Sequence, residues 1–152
     1  MAHTECDSLY FDLDTGMINS VSPSLPPMDI KEWFTCYTKE VPEGASHSCG
    51  GGILYEKHGF YYYTYFDVVE VDTLFKGKMT GDLMNSAKEK VYATIGQPLI
   101  LETTRNPDID FFNRKFGCLV VRYHNGKVFK VSAHNQDCNF TVVCDEDAQD
   151  LK

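Results

Sequence analysis

The chain has 152 residues, with 14 Lys and Arg against 22 Asp and Glu, for a formal net charge of −8. That length suits one domain with a real core, and 43% hydrophobic with 24% charged residues is ordinary globular usage, which excludes wholesale disorder. The acidic balance disfavours a general nucleic-acid binder, because it repels the phosphate backbone, and no apolar run reaches the ~20 residues of a membrane helix.

The segment MAHTECDSLY is too polar for a signal peptide, so the expected setting is the cytoplasm. Tyr10 to Val21 predicts a hairpin around Asp14-Thr15-Gly16, with Gly at the special turn position. Asp12, Asp14 and Gly16 have the opening spacing of a calcium loop but lack its third ligand position and its terminal Glu. A Pro-rich connector, residues 22–27, leads to Asp29-x-x-Glu32, a helix start of the capping-box kind. Ile30, Trp33, Phe34 and Tyr37 then form one apolar stripe of a short helix, which Pro42 and Gly44 end.

A second hairpin starts at Ile53 and turns near His58-Gly59, and its return strand is a long aromatic run from Phe60 to Val71. Thr80 or Gly81 opens a second helix, with Leu83, Met84, Ala87, Val91 and Ile95 as its buried stripe and Gly96 and Pro98 as its stop. Leu99 to Thr104 is a strand candidate, ended by Asn106-Pro107-Asp108. Asn125-Gly126, set between residues 118–123 and 127–131, is the strongest turn signal in the chain and predicts a type I′ hairpin. Asn139 to Cys144 predicts a last strand. Three hairpins without regular strand–helix alternation predict an α+β fold, a mainly antiparallel sheet with two helices packed on one face. Residues 1–144 are expected to form one domain and 145–152 an acidic, flexible tail.

Six cysteines without an export signal or a C-x-x-C pair are expected to be reduced thiols, three of them (Cys36, Cys118 and Cys144) filling core positions. The lack of close ligand pairs also speaks against structural zinc, and no cofactor is expected. Two arrangements could carry catalysis. His47 and Cys49 precede Gly50-Gly51-Gly52, a base and a thiol next to open backbone amides. Asp67, Glu70 and Asp72, or Asp108 with Asp110, could supply a carboxylate pair. Acids at strand ends are more often simply solvated. No phosphate loop, dinucleotide fingerprint, nucleophile elbow or metalloprotease motif is present.

The aromatic run carries the leading expectation. Strand alternation sends Phe60, Tyr62, Thr64 and Phe66 to one face and Tyr61, Tyr63, Tyr65 and Asp67 to the other, with Tyr55 alongside. Tyrosine gives large contact area with a polar tip, which suits an interface. Tyr55, Tyr61, Tyr63, Tyr65, Asp67 and Glu70 are therefore the expected partner-binding residues. The function this suggests is a non-catalytic module that binds a basic protein, most concretely a cytosolic inhibitor or immunity protein occluding a nuclease-type toxin. The alternatives are a small enzyme or ligand binder using the His47/Cys49 loop or a carboxylate pair, and a structural subunit with the tyrosines as a permanent interface. Partner identity and oligomeric state are not written in the sequence.

Overall fold

A computed structural model describes residues 6–43, 50–100 and 107–141. Its main element is a seven-stranded antiparallel sheet built from β3 (Lys39–Val41), β4 (Gly52–Tyr55), β5 (Phe60–Tyr63), β6 (Val68–Asp72), β8 (Ile109–Arg114), β9 (Gly117–His124) and β10 (Lys127–His134). The strand order is β3-β4-β5-β6-β10-β9-β8. A second, three-stranded sheet joins β1 (Tyr10–Asp12), antiparallel to β2 (Met17–Ile18) and parallel to β7 (Lys78–Met79). Two short helices, α1 (Pro27–Trp33) and α2 (Lys88–Ile95), complete the α+β fold.

Alternation along the strands splits the large sheet into two faces. One carries Tyr55, Phe60, Tyr62, Val69, Val71, Val131, Leu119 and Val121 into the main core. Ile30 of α1, Val91 of α2, and Phe11 and Ile18 of the small sheet meet them there. Both helices thus lie on one face, as each single apolar stripe demands. Two phenols enter this core with their hydroxyls satisfied: Tyr55 Oη donates to the Phe34 carbonyl and Tyr62 Oη to that of Val21, both at 2.8 Å. The opposite face carries two smaller buried clusters, one around Leu54, Tyr63 and Val68, the other around Phe111, Cys118, Val120 and Cys138.

The hairpins at Asp14–Gly16, His58-Gly59 and Asn125-Gly126 form where the turn residues place them. Asn125 and Gly126 take φ of 53° and 78°, the two left-handed residues of a type I′ turn. Four other expectations are corrected. The first helix stops at Trp33, because Thr38 to Val41 pair with β4 and Phe34 turns extended to bring its ring against Tyr55, Phe60 and Tyr62. Trp33 and Tyr37 consequently lie outside the core. The second helix begins only at Lys88, after a short 3-10 turn at Thr80–Asp82. Asp110 sits on β8, and Asn139, expected to open a last strand, lies in the 3-10 turn Cys138–Phe140.

The most consequential correction concerns residues 60–71. They are not one strand but the hairpin β5–β6, turning through Thr64 to Asp67 with Asp67 at φ 56°. Aspartate tolerates this left-handed conformation. The turn contains no Gly or Pro, so Asp67 alone marks it off from the strand formers around it.

The cysteines are also not free. Cys6 is bonded to Cys36 and Cys118 to Cys138, with Cα–Cα distances of 6.3 and 4.8 Å, and no described cysteine is unpaired. The partners are 30 and 20 residues apart and meet only through the tertiary fold, which no close-pair spacing rule detects. Cys49 and Cys144 lie outside the described residues, as do most of the expected strands at 99–104 and 139–144 and the tail at 145–152.

Two glycines separate turn strain from crowding. A Cβ at Gly126 would meet nothing within 4 Å, so Gly126→Ala should cost only the left-handed backbone term, ~1–2 kcal/mol. A Cβ at Gly59, with φ 71°, would collide with the backbone of Leu74 and Phe75. Gly59→Ala should therefore cost clearly more in urea unfolding; equal losses would contradict the packing of this turn.

Candidate interaction surface

The six expected partner-binding residues separate into three environments. Tyr55 is 0% exposed on the core face, stacked on Phe60 at 4.2 Å, so it is a packing residue and not part of a surface. Its cross-strand partner is Phe60, which puts it opposite in direction to Tyr61 and Tyr63. Tyr61, Tyr63 and Glu70 do share the second face. That face is covered, however: Tyr63 is 3% exposed and Glu70 2%. Tyr61 is half-buried, stacks on Tyr63 at 6.3 Å and donates its hydroxyl to Asp72 Oδ2 at 2.6 Å. Burial, then that bond to Asp72, pushes the Tyr61 phenol well above its ordinary range.

Tyr65 and Asp67 occupy the third environment, the β5–β6 turn. Tyr65 is 57% exposed and meets the Phe66 ring edge-on at 4.8 Å. Thr64 Oγ1 donates to Glu43 Oε2 at 3.3 Å, which brings the end of the β3 segment to the turn. Burial and then the charge of Glu43 raise the Asp67 carboxyl above its ordinary value. Gly50 and Gly51 have a steric purpose here: a Cβ on the first would strike the Tyr65 ring at 2.9 Å, and one on the second the Glu43 backbone at 2.8 Å. The tip of this hairpin thus combines an exposed aromatic, Tyr65, with two acids that interact with each other, Glu43 and Asp67.

Pairing across the sheet reveals a buried polar row that sequence reasoning missed. Tyr61 pairs with Glu70, Glu70 with Ser132 and Ser132 with Val120. Ser132 and His134, two residues apart on β10, are 3% and 1% exposed, with Ser132 Oγ 2.7 Å from His134 Nε2. The signal was present: two polar residues at strand spacing inside an apolar strand. A serine on an imidazole has the geometry of an activated nucleophile. Two observations weigh against that use. His134 Nδ1 is buried without a hydrogen-bond partner, so no acid orients the ring. Burial also lowers the imidazole to about 3, which makes it a weak base at neutral pH.

The remaining carboxylates are engaged structurally. Asp72 accepts from Tyr61, and Asp110 Oδ2 accepts from both Tyr92 and Tyr123 at 2.8 Å, tying α2 to β8 and β9. Burial, and secondarily Asp110, pushes the Tyr92 phenol up to about 12. Asp108 lies just before β8, where its carbonyl accepts from the Tyr123 amide. His47 and Cys49 lie outside the described residues. No helix among the described residues is long and apolar enough to cross a membrane. The chain matches no known protein family, curated protein or solved structure.

The buried imidazole makes stability depend on pH. With a folded value near 3 against 6.5 when free, the unfolded chain binds the extra proton between those values. Stability contributed by neutral His134 is therefore whole above pH 6.5 and drains as pH falls towards 3, with a slope of up to ~1.4 kcal/mol per pH unit. His134→Gln keeps a hydrogen-bonding side chain but cannot titrate, so its unfolding free energy should fall less steeply over that window. Parallel profiles for the two proteins would contradict a neutral buried His134.

Proposed function

We propose that this chain is a non-catalytic protein-binding module that grips a basic partner through the β5–β6 hairpin tip. One observation carries this reading: Tyr65 stands exposed on a turn where Glu43 bonds to Thr64 and its charge reaches Asp67, so that aromatic and acidic groups share the tip. A Lys or Arg of a partner could lie over the phenol ring while pairing with either acid, combining a cation–π contact with charge. The chain's charge of −8 adds long-range attraction for a basic surface. The most concrete form is an inhibitor that occludes a basic, nuclease-type enzyme. With Tyr61, Tyr63 and Glu70 on the covered side of the sheet, the reading rests on Tyr65 and Asp67 at this tip.

The cysteines bear on the compartment of this encounter. Two disulfides are the chemistry of an oxidising environment and not of the cytosol that the polar N-terminal segment suggests. We place the encounter with the partner in an oxidising compartment.

A panel of basic nucleases, immobilised and probed with the chain at rising salt, tests the reading. At least one should bind and lose activity, with an association rate that falls steeply towards physiological salt as the Debye length shortens to about 8 Å. Tyr65→Ala should raise the dissociation rate ~30-fold, the equivalent of ~2 kcal/mol, while Glu43→Lys should mainly slow association. Binding that ignores both salt and Tyr65, or no binding across the panel, would overturn the reading.

A further inference from the structure

Cys6, Cys36 and His58 come from three separate segments: the chain before β1, the stretch between α1 and β3, and the β4–β5 turn. Their sulfurs and one imidazole nitrogen nevertheless lie within 4.8 Å of one another. His58 Nδ1 is buried and has no hydrogen-bond partner. The group borders a cavity of about 310 Å³ that Asp7, Leu9, Lys76 and Gly77 help to line. The other disulfide differs: Cys118 and Cys138 are packed among Phe111 and Val120, with no histidine in reach of a shared ion among the described residues.

We propose that Cys6, Cys36 and His58 form a two-state site, a disulfide when oxidised and a Zn²⁺ site when reduced. Two thiolates and an imidazole are a donor set that zinc favours. Zn–S near 2.3 Å and Zn–N near 2.0–2.1 Å put ligand atoms roughly 3.5–4 Å apart; the bonded sulfurs part to that separation once reduced, and the imidazole nitrogen already lies within 4.8 Å of both. Reduction needs a dithiol as co-reactant: its two thiols give up two electrons and two protons, the Cys6–Cys36 bond breaks, and the dithiol leaves as a disulfide. Binding Zn²⁺ then displaces the two thiol protons to solvent and forms two Zn–S bonds and one Zn–N bond. The fourth coordination position opens on the cavity, where water or a small anionic ligand can enter. The site would thus report a move from an oxidising to a reducing compartment as metal capture. This inference does not depend on the docking reading.

Its test uses the full chain carrying Cys49→Ser and Cys144→Ser, which removes the two thiols outside the described pairs. The disulfides are reduced with a water-soluble trialkylphosphine, which takes oxygen from water as it delivers the two electrons, and Co²⁺ is added as a spectroscopic stand-in for Zn²⁺. One Co²⁺ per chain should bind with thiolate-to-metal charge-transfer absorption, Zn²⁺ should displace it, and two protons should be released per ion. Without reduction there should be no such absorption. Adding Cys138→Ser should leave the spectrum unchanged, whereas His58→Ala should weaken Co²⁺ at least tenfold and Cys6→Ser should abolish the two-thiolate spectrum. A reduced chain that is unfolded by near-ultraviolet circular dichroism and stays so with metal would overturn the proposal. So would a Co²⁺ spectrum that is absent, or that His58→Ala leaves untouched.

Discussion

Burial of both faces of the seven-stranded sheet is the constraint on which the other features depend. A strand in a sheet with one open face can keep an alternating apolar and polar pattern, but one covered on both sides must be apolar throughout or satisfy every polar group it carries. The central strands β5, β6, β10 and β9 obey this. Phe60 and Tyr62 fill the main core while Tyr63, Val68 and Val120 fill the clusters behind it. The polar residues that remain on the rear face are accounted for in part by one another: Tyr61 bonds to Asp72 and Ser132 to His134. His134 stays neutral because charging it there would leave a cation in a desolvated place.

The same constraint decides which of the tyrosines is exposed. A surface of tyrosines along the strand would require an open rear face, and covering that face moves exposure to its rim. The β5–β6 turn is that rim: Asp67 takes a left-handed backbone there, Tyr65 is exposed, and Glu43 bonds to Thr64. The disulfides work at the periphery in a similar way. Cys118–Cys138 clamps the 3-10 turn over β9, and Cys6–Cys36 holds the chain before β1 to the stretch that follows α1. A disulfide of this kind stabilises chiefly by restricting the unfolded chain, by typically 2–4 kcal/mol.

What the sequence disclosed, and what it hid, divides along local and tertiary lines. Asn125-Gly126 and His58-Gly59 were readable because a turn needing positive φ advertises itself in two residues. The fold class followed from counting such hairpins. The turn through Thr64 to Asp67 was hidden, since Tyr and Phe are strand formers and only the pairing of Val68 to Val71 back onto Phe60 to Tyr63 reveals it. Missing that turn misplaced Tyr65 and Asp67, whereas Tyr61 and Tyr63 do alternate with Phe60 and Tyr62 and are hidden by the covering of the rear face. Helix α1 was overextended for a related reason: Trp33, Phe34 and Tyr37 fit a helical stripe, but pairing with β4 claims the chain from Thr38 onwards. Cysteine pairing and the approach of His58 to Cys6 and Cys36 are tertiary facts that spacing does not encode.

The central claim, that the rear face of the sheet is covered while Tyr65 at the hairpin tip is exposed, rests most directly on a comparison of two tyrosines two residues apart. Urea unfolding of Tyr63→Ala and Tyr65→Ala, each against the unmodified chain, measures it. A large aromatic removed from a covered face should cost ~3 kcal/mol or more, whereas an exposed one at a turn should cost less than ~1 kcal/mol. A Tyr63→Ala protein that unfolds at the same urea concentration as the unmodified chain, or a Tyr65→Ala loss equal to it, would contradict the account.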